Sequence, residues 1–131
     1  MIKVKTHLMF QGDVEEAIDL YSSVFSEFKV LRIDRYGAGE PVAAGSLKLA
    51  HISFAGHELQ MFNSPPVHDF SFTPSISLFV DFDDQEKLEN AFATLSMDGV
   101  IMMPIDDYGF SKKFGFLADR YGVSWQLNLP E

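Results

Sequence analysis

The last strand-like segment of the chain carries a polar side chain at every second position. Ser124, Gln126 and Asn128 alternate there with large apolar residues, the period of two that is typical of a β-strand with one buried face. The preceding residues 119–122 (DRYG) are typical of a tight turn, because Gly122 can adopt a positive φ. Hydroxyl and amide groups that line a cavity can hold a small neutral molecule, although the same face could simply meet water. The pattern therefore predicts a closing hairpin whose polar face is a candidate binding surface.

Several familiar catalytic arrangements are missing from the sequence. There is no cysteine, which excludes a thiol nucleophile, disulfides and thiolate metal sites. No serine lies in a G-x-S-x-G elbow, and residues 37–39 (GAG) are not followed by a phosphate-binding or dinucleotide fingerprint. The acidic pairs at 83–84 and 106–107 are better explained by a helix cap and a loop than by acid–base catalysis.

Composition and charge narrow the classes of partner. The 131 residues are 47% hydrophobic and 14% aromatic, which is typical of one folded domain rather than a disordered chain. A net charge of −9 argues against nucleic acid and against an anionic membrane surface. No apolar run approaches the roughly 20 residues of a membrane span. The start of the chain does not resemble a signal peptide, and together with the lack of cysteine this favours a cytoplasmic protein.

The elements that would position the polar face occur in two similar series. The first is predicted as strand 2–10, helix 14–25 and strands 28–36, 46–54 and 57–63. The second is predicted as strand 75–82, helix 84–97, strand 100–105 and the closing hairpin 114–128. Asp13, followed by Glu16, predicts a capping box for the first helix. Periodicity alone predicts an α+β fold with two antiparallel sheets.

Four segments of the chain are distinctive: HLMFQGDVEEAIDLY (7–21), HISFAGHELQMF (51–62), ISLFVDFDD (76–84) and the final hairpin (114–128). They resemble the PhnB-like branch of the glyoxalase/bleomycin-resistance superfamily, also called vicinal oxygen chelate proteins. This branch includes the 3-demethylubiquinone-9 3-methyltransferase-like domain. The resemblance implies a single domain over residues 1–131, built from two βαβββ modules (1–63 and 74–131) that form a cupped mixed sheet with the helices outside. It also implies a homodimer. No S-adenosylmethionine-binding glycine loop follows a strand, so the methyltransferase name is not supported by the residues.

The resemblance also implies where a metal would bind. In metal-binding relatives, His and Glu side chains from four strands meet in the cup, and the matching positions here are Thr6, Ala50, Ser75 and Gln126. Alanine has no side-chain donor, and neutral oxygens bind first-row metals weakly. We therefore expect no metal and no cofactor.

A register shift of one residue would change that expectation. His7 and His51 each lie one residue beyond a matching position, and such a shift would move both of them into the cup. The in-register alignment instead leaves the two histidines on the opposite surface of the sheet.

Because none of the four matching positions carries a good metal-coordinating side chain, we expect the cup to bind a small, mostly neutral organic molecule instead. Tyr108 and Phe110 would form a lid or an edge of this cup. The expected lining residues are Thr6, Leu8, Ser75, Ser77, Phe79, Ser124, Gln126 and Asn128. The favoured function is metal-independent small-molecule binding, which leaves open whether the protein is an enzyme. The alternatives are a metal-dependent lyase, isomerase or dioxygenase that acts on a small oxygenated substrate, and an acidic dimeric scaffold without a ligand.

Overall fold

The computed structural model describes all residues, Met1–Glu131, and divides into two compact units, residues 1–71 and 72–131. Each unit contains one helix and one four-stranded sheet in which parallel and antiparallel strands are mixed. The element order is strand, helix and three strands in both units. The predicted α+β fold of two βαβββ series is therefore confirmed.

The first unit consists of β1 (Thr6–Phe10), α1 (Val14–Val24), β2 (Phe28–Arg35), β3 (Leu47–Phe54) and β4 (His57–Asn63). The strand order is β1-β4-β3-β2. Strand β1 runs parallel to β4, and the other pairs are antiparallel. The crossover from β1 to β4 places both strands side by side, although they are far apart in the sequence.

The second unit consists of β5 (Ser77–Asp81), α2 (Gln85–Ser96), β6 (Val100–Asp106), β7 (Lys113–Ala118) and β8 (Ser124–Leu129). Its strand order, β5-β8-β7-β6, repeats that of the first unit, with β5 parallel to β8. Neither helix of the protein is long and apolar enough to cross a membrane.

In the first unit α1 covers one face of the sheet, which we call the helix face. Its buried residues are Val14, Ala17, Ile18 and Tyr21. The Tyr21 ring meets the Phe28 ring edge-on, with centroids 5.7 Å apart, and Phe28 lies opposite Phe54 of β3. Because side chains alternate along a strand, Ile52 shares this face, and it is 1% exposed. The other side of the sheet, the open face, carries the side chains between these positions.

In the second unit α2 covers the helix face with Leu88, Ala91, Phe92 and Leu95. A Cβ on Gly115 would lie 2.5 Å from Phe92 Cε2, so the glycine leaves the room in which this ring packs on β7. Gly115 lies opposite Leu127, and Leu127 and Trp125 are both 0% exposed. The alternate residues of β8 consequently point to the open face of this unit.

Two sequence predictions need correction at the start of the chain. Strand β1 begins at Thr6 rather than Ile2, which is 89% exposed. Asp13 is at the N-cap position of α1, but its side chain makes no cap hydrogen bond, because its backbone (φ −109°, ψ 21°) is not extended. Asp84 has the extended backbone that capping requires, and its carboxylate accepts from the N–H groups of Glu86 and Lys87.

Candidate functional site

A buried carboxylate holds the turn that leads into β8. Asp119, 3% exposed, accepts through Oδ1 from the N–H groups of Tyr121 at 2.9 Å and Val123 at 3.1 Å. Its Oδ2 accepts from Trp125 Nε1 at 2.9 Å. Gly122 completes the turn with φ 91°. This network ties the turn to the first residues of β8 and thereby fixes which β8 side chains reach the open face.

Strands β5 and β8 present five of the predicted site residues on the open face of the second unit. Ser77 lies opposite Ser124, and Phe79 lies opposite Gln126. Asn128 follows two residues later on the same face. The Ser77 and Ser124 hydroxyls are 2.8 Å apart, and the Ser124 hydroxyl also bonds to the Ile76 carbonyl. Because Ser124 donates to a carbonyl, Ser77 is the donor of the pair, and both hydroxyl protons are already used within the protein.

An aromatic cluster, formed by Phe79, Tyr108, Phe110 and Phe114, lies beside these polar groups, since Phe79 is opposite Gln126 and Phe114 is opposite Asn128. Phe114 is its centre, with ring centroids 5.0 Å from Phe110, 6.1 Å from Tyr108 and 6.2 Å from Phe79. Phe114 is 4% exposed, whereas Phe79 is 53% and Phe110 61% exposed. The Tyr108 hydroxyl donates to the Pro104 carbonyl at 2.6 Å. The cluster thus combines one buried residue, Phe114, with two residues that are more than half exposed.

Asn128 is the most deeply buried amide of this face, at 8% exposure. Its Nδ2 donates to Asp81 Oδ1 at 2.8 Å, and its Oδ1 has no hydrogen-bond partner. Buried side-chain acceptors are nearly always paired in folded proteins. This atom is therefore an exceptional feature of the candidate site.

Three other predicted lining residues do not lie where the sequence analysis expected them. Thr6 and Leu8 lie opposite Leu59 and Met61, which are on the helix face with 1% and 0% exposure. The expected alignment of β1 was therefore shifted by one residue, which moves every side chain to the other face. Ser75 precedes β5 in a turn and bonds to the Thr73 hydroxyl at 2.7 Å.

The same shift places the two histidines on the open face of the first unit. His7 lies opposite Gln60, Gln60 opposite His51, and His51 opposite Arg32, so these four residues form one row across the sheet. The His7 Nδ1 and Gln60 Oε1 atoms are 3.1 Å apart, and Arg32 Nη2 lies 2.9 Å from His51 Nε2. Guanidinium groups only donate, so Arg32 occupies the lone pair of His51 Nε2.

Carboxylates border this row on both sides. Asp34 Oδ2 lies 3.5 Å from His51 Nε2 and 3.3 Å from Arg32 Nη2. Glu58 pairs with Lys3 at 2.9 Å, and the hydrogen bond from Lys3 holds the pKa of Glu58 below its usual value. The open face of the first unit thus combines a charged row with an apolar row of Met9, Phe62 and Leu49, whereas that of the second unit combines uncharged polar groups with aromatic rings.

The structure also identifies the position that corresponds to Gln126 in the first unit. Gln60 follows the hairpin glycine Gly56 by four residues, as Gln126 follows Gly122, and both lie on open faces. Ala50, the position suggested by the resemblance, is on the helix face at 0% exposure. Spacing from the two hairpin glycines was the signal in the sequence that could have located Gln60.

These positions test whether a metal of the kind found in this superfamily would fit. The paired open-face residues are His7 with Gln60 in the first unit and Phe79 with Gln126 in the second. Taken by itself, neither a histidine with a neutral amide nor a phenyl ring with a neutral amide is a good donor set for a first-row divalent metal. No group of three or more His, Asp or Glu residues that could hold a metal ion occurs in the chain. The residues therefore do not fit that metal.

Comparison with known proteins identifies the family. Residues 2–128 match the sequence profile of the 3-demethylubiquinone-9 3-methyltransferase family. The chain belongs to this family. It is 42% identical to a PhnB protein from Bacillus cereus whose description carries the same methyltransferase name, with a TM-score of 0.91 over 98% of this chain and 99% of that chain. The predicted membership of the PhnB-like branch is confirmed.

More distant solved structures share the fold of this PhnB-like protein. The fosfomycin resistance protein FosX from Listeria monocytogenes is 9% identical, with a TM-score of 0.68 over 100% of this chain and 96% of that chain. A glyoxalase/bleomycin resistance protein/dioxygenase domain from Frankia is 14% identical, with a TM-score of 0.65 over 100% of this chain and 99% of that chain. At these identities the likeness shows the fold alone. Among curated proteins there is no match.

Proposed function

We propose that this PhnB-like protein is a metal-independent small-molecule-binding protein and that the open face of the second unit is its binding surface. The observation that carries the proposal is the pairing of an exposed ring, Phe79, with the amide of Gln126 on adjacent strands. Binding sites for small organic molecules combine apolar and aromatic surface with a few polar groups in this way. Ser77 and Asn128 extend the polar part along the same two strands.

Exposed aromatic surface has a cost that a ligand would remove. Phe79 and Phe110 are more than half exposed and lie against the same buried ring, Phe114. Stacking a planar ligand on one such ring is worth on the order of 1 kcal/mol beyond the apolar area that it buries. Clustered exposed apolar groups with polar neighbours are typical of interaction sites. Both features support binding rather than a purely structural role.

The donor chemistry supports a metal-independent mode. Gln126 and Gln60 occupy the corresponding positions of β8 and β4, and neutral amide oxygens are weak ligands for first-row metals. Ligand recognition through Gln126 would instead use its amide as one hydrogen-bond donor and one acceptor.

A metal-dependent lyase, isomerase or dioxygenase is the second candidate, and one observation favours it. His7 lies on the open face, and its Nδ1 is 3.1 Å from the Gln60 carbonyl oxygen. Because that oxygen only accepts, Nδ1 is the donor of this bond, and Nε2 is the ring nitrogen that would bind a metal, an arrangement that is common for metal-binding histidines. His51 contributes less to this candidate, since Arg32 donates to its Nε2.

We also propose the assembly that the resemblance implies. The two units would act as one domain over residues 1–131, and the chain would work as a homodimer in the cytoplasm. Analytical ultracentrifugation measures the subunit number directly.

Replacing Phe79 with alanine tests the proposed surface. A library of small neutral aromatic and carbonyl compounds is screened against the wild-type protein by ligand-observed NMR, and the hits are measured again with the variant. We expect Phe79→Ala to weaken binding of the hits by at least about tenfold, since stacking and apolar burial are both lost.

Phe70→Ala is the matched control, because Phe70 is 58% exposed and lies outside the aromatic cluster. The library hits should bind to Phe70→Ala with the same affinity as to the wild-type protein. A library without hits, or hits that bind equally to Phe79→Ala, would contradict the proposed binding surface.

A further inference from the structure

We infer that the open face of the first unit has a second binding site, at the sheet edge formed by β2, for the carboxylate or phosphate group of a small molecule. The side chains that would bind this group come from β2 and its neighbour β3, and we call them the β2–β3 cluster: Lys29, Arg32, His51 and Ser53. The inference concerns the first unit and does not depend on the binding surface proposed for the second.

A β-bulge brings the two cations of this cluster to the same face. Lys29 lies opposite Ser53 and Arg32 lies opposite His51, with a register shift in β2 just before Arg32. On a regular strand, two residues three positions apart point to opposite faces, but the extra residue of the bulge places both side chains on the open face. Bulges are common next to functional sites, where they redirect a side chain. The bulge thus concentrates positive charge at this edge.

The guanidinium group of Arg32 is oriented and still accessible. Its Nη2 lies 2.9 Å from His51 Nε2 and 3.3 Å from Asp34 Oδ2, and both contacts are to the same nitrogen. The Arg32 side chain is 66% exposed, so the N–H groups on Nη1 and Nε are left for a ligand. The planar guanidinium group matches the geometry of carboxylate and phosphate oxygens.

The charge of this face is opposite to that of the whole chain, which has a net charge of −9. Its cationic side chains outnumber its carboxylates: they are Lys3, Lys5, Lys29 and Arg32 against Asp34 and Glu58. Lys3 and Lys5 both pair with Glu58. At the β2 edge, Asp34 offsets only one of the two remaining cations, and a bound anion would offset the other.

The apolar row of this face determines what else the ligand should carry. The row begins at Leu49, two residues from His51 on β3 and therefore about 7 Å away along the strand. It continues through Phe62 to Met9, and all three side chains are partly exposed. An aromatic or aliphatic body can lie on this row while the anionic group approaches Arg32. We therefore expect a small amphipathic anion.

Benzoate, phenyl phosphate and benzamide are suitable probes, because they carry the same ring, whereas only benzamide is uncharged. Each is titrated into the wild-type protein at low ionic strength and followed by backbone amide chemical shifts. We expect at least one of the two anions to bind about fivefold or more tightly than benzamide, with shifts in β2 and β3. The tighter of the two anions identifies the preferred group. In about 1 M NaCl, where the Debye length is about 3 Å, most of the preference should disappear.

Two variants test the cations of the cluster. Arg32→Ala should reduce the preference for the anion to within about twofold, because the guanidinium group and its charge are both lost. Arg32→Lys keeps the charge without the planar group and should give an intermediate preference. Lys87→Ala removes an exposed lysine of α2 and should retain the wild-type preference. Thermal melts verify that the variants are folded.

The remaining outcomes would overturn the inference. They are equal binding of the three probes to the wild-type protein, no binding up to the solubility limits, and a preference that survives in Arg32→Ala. Shifts confined to the second unit would overturn it as well. The wild-type comparison decides even if a variant does not fold. None of these outcomes bears on the proposed function, which is decided separately by the library test with Phe79→Ala.

Discussion

Replacing Asp119 with alanine should lower the free energy of unfolding by more than about 3 kcal/mol. The substitution removes three hydrogen bonds and leaves the N–H groups of Val123 and Trp125 without their acceptor in a buried environment. Each unsatisfied buried group costs about 1–3 kcal/mol. Urea denaturation followed by circular dichroism gives the free energy directly.

Two further substitutions make the Asp119 test specific. Asp119→Asn keeps one carbonyl oxygen but turns an NH₂ group toward a donor, so its loss should be intermediate. Asp83→Ala changes an exposed aspartate and should shift the unfolding free energy by less than about 0.5 kcal/mol. A loss for Asp119→Ala that is no larger than that of Asp83→Ala would contradict the role of this network.

Replacing Gly99 with alanine should also destabilise the protein strongly, by about 3 kcal/mol. A Cβ at this position would lie 2.2 Å from the Ala118 carbonyl oxygen and 3.1 Å from the Asp119 Cα. Both neighbours are backbone atoms at the end of β7, so the clash can be relieved only by moving the turn that Asp119 organises. Overpacking of this kind typically costs 1–3 kcal/mol or occasionally more.

Gly37→Ala is the matched control for this prediction. Its Cβ would lie 3.6 Å from the Glu40 carboxylate, an ordinary contact. We expect a change within about 0.5 kcal/mol in the same urea experiment. A Gly99→Ala variant with the wild-type unfolding midpoint would contradict the prediction that the close approach of Gly99 to the end of β7 limits the stability of the protein.

Regular periodicity made most of the fold predictable. Both helices and the polar face of β8 follow from the sequence, because large apolar residues such as Trp125 and Leu127 alternate cleanly with polar ones. Strand β1 is different. Its THLMF sequence has apolar residues at both alternating positions, so the pattern does not determine which face is buried. The error at Thr6 and Leu8 has this cause.

The register of β3 was more readable than that of β1. His51 and Ser53 alternate there with Ile52 and Phe54, which are buried at 1% and 8% exposure. This alternation alone assigns His51 to the open face. The alignment to the metal-binding pattern of the superfamily gave the opposite answer, because it assigned a cup position to Ala50, which is buried on the helix face.

Two parts of the candidate site depend on distances that periodicity does not contain. Phe79, Phe110 and Phe114 come from different elements, and their meeting depends on the sheet order β5-β8-β7-β6. The unpaired Oδ1 of Asn128 depends on the exact approach of Asp81 on the neighbouring strand. Neither feature has a signature in the order of residues.

The metal-independent function and its metal-dependent rival predict different effects of a chelator on ligand binding. In the rival, His7 would bind the metal, and a ligand or substrate would bind through it. In the proposed function, the aromatic cluster and the amides of β8 bind the ligand without a metal. A metal that binds only the folded protein would also raise its melting temperature, because binding stabilises the folded state by RT ln(1 + [L]/Kd).

The most direct test is the affinity of a confirmed library hit for tag-free protein, measured before and after treatment with EDTA and again with added Ni²⁺, Zn²⁺ or Mn²⁺. Metal content and melting temperature are recorded on the same samples, with His7→Ala as the control variant. We predict affinities within about twofold of each other in all conditions and no dependence on His7. Stoichiometric metal in the purified protein, with binding lost on chelation and in His7→Ala, would contradict the metal-independent account.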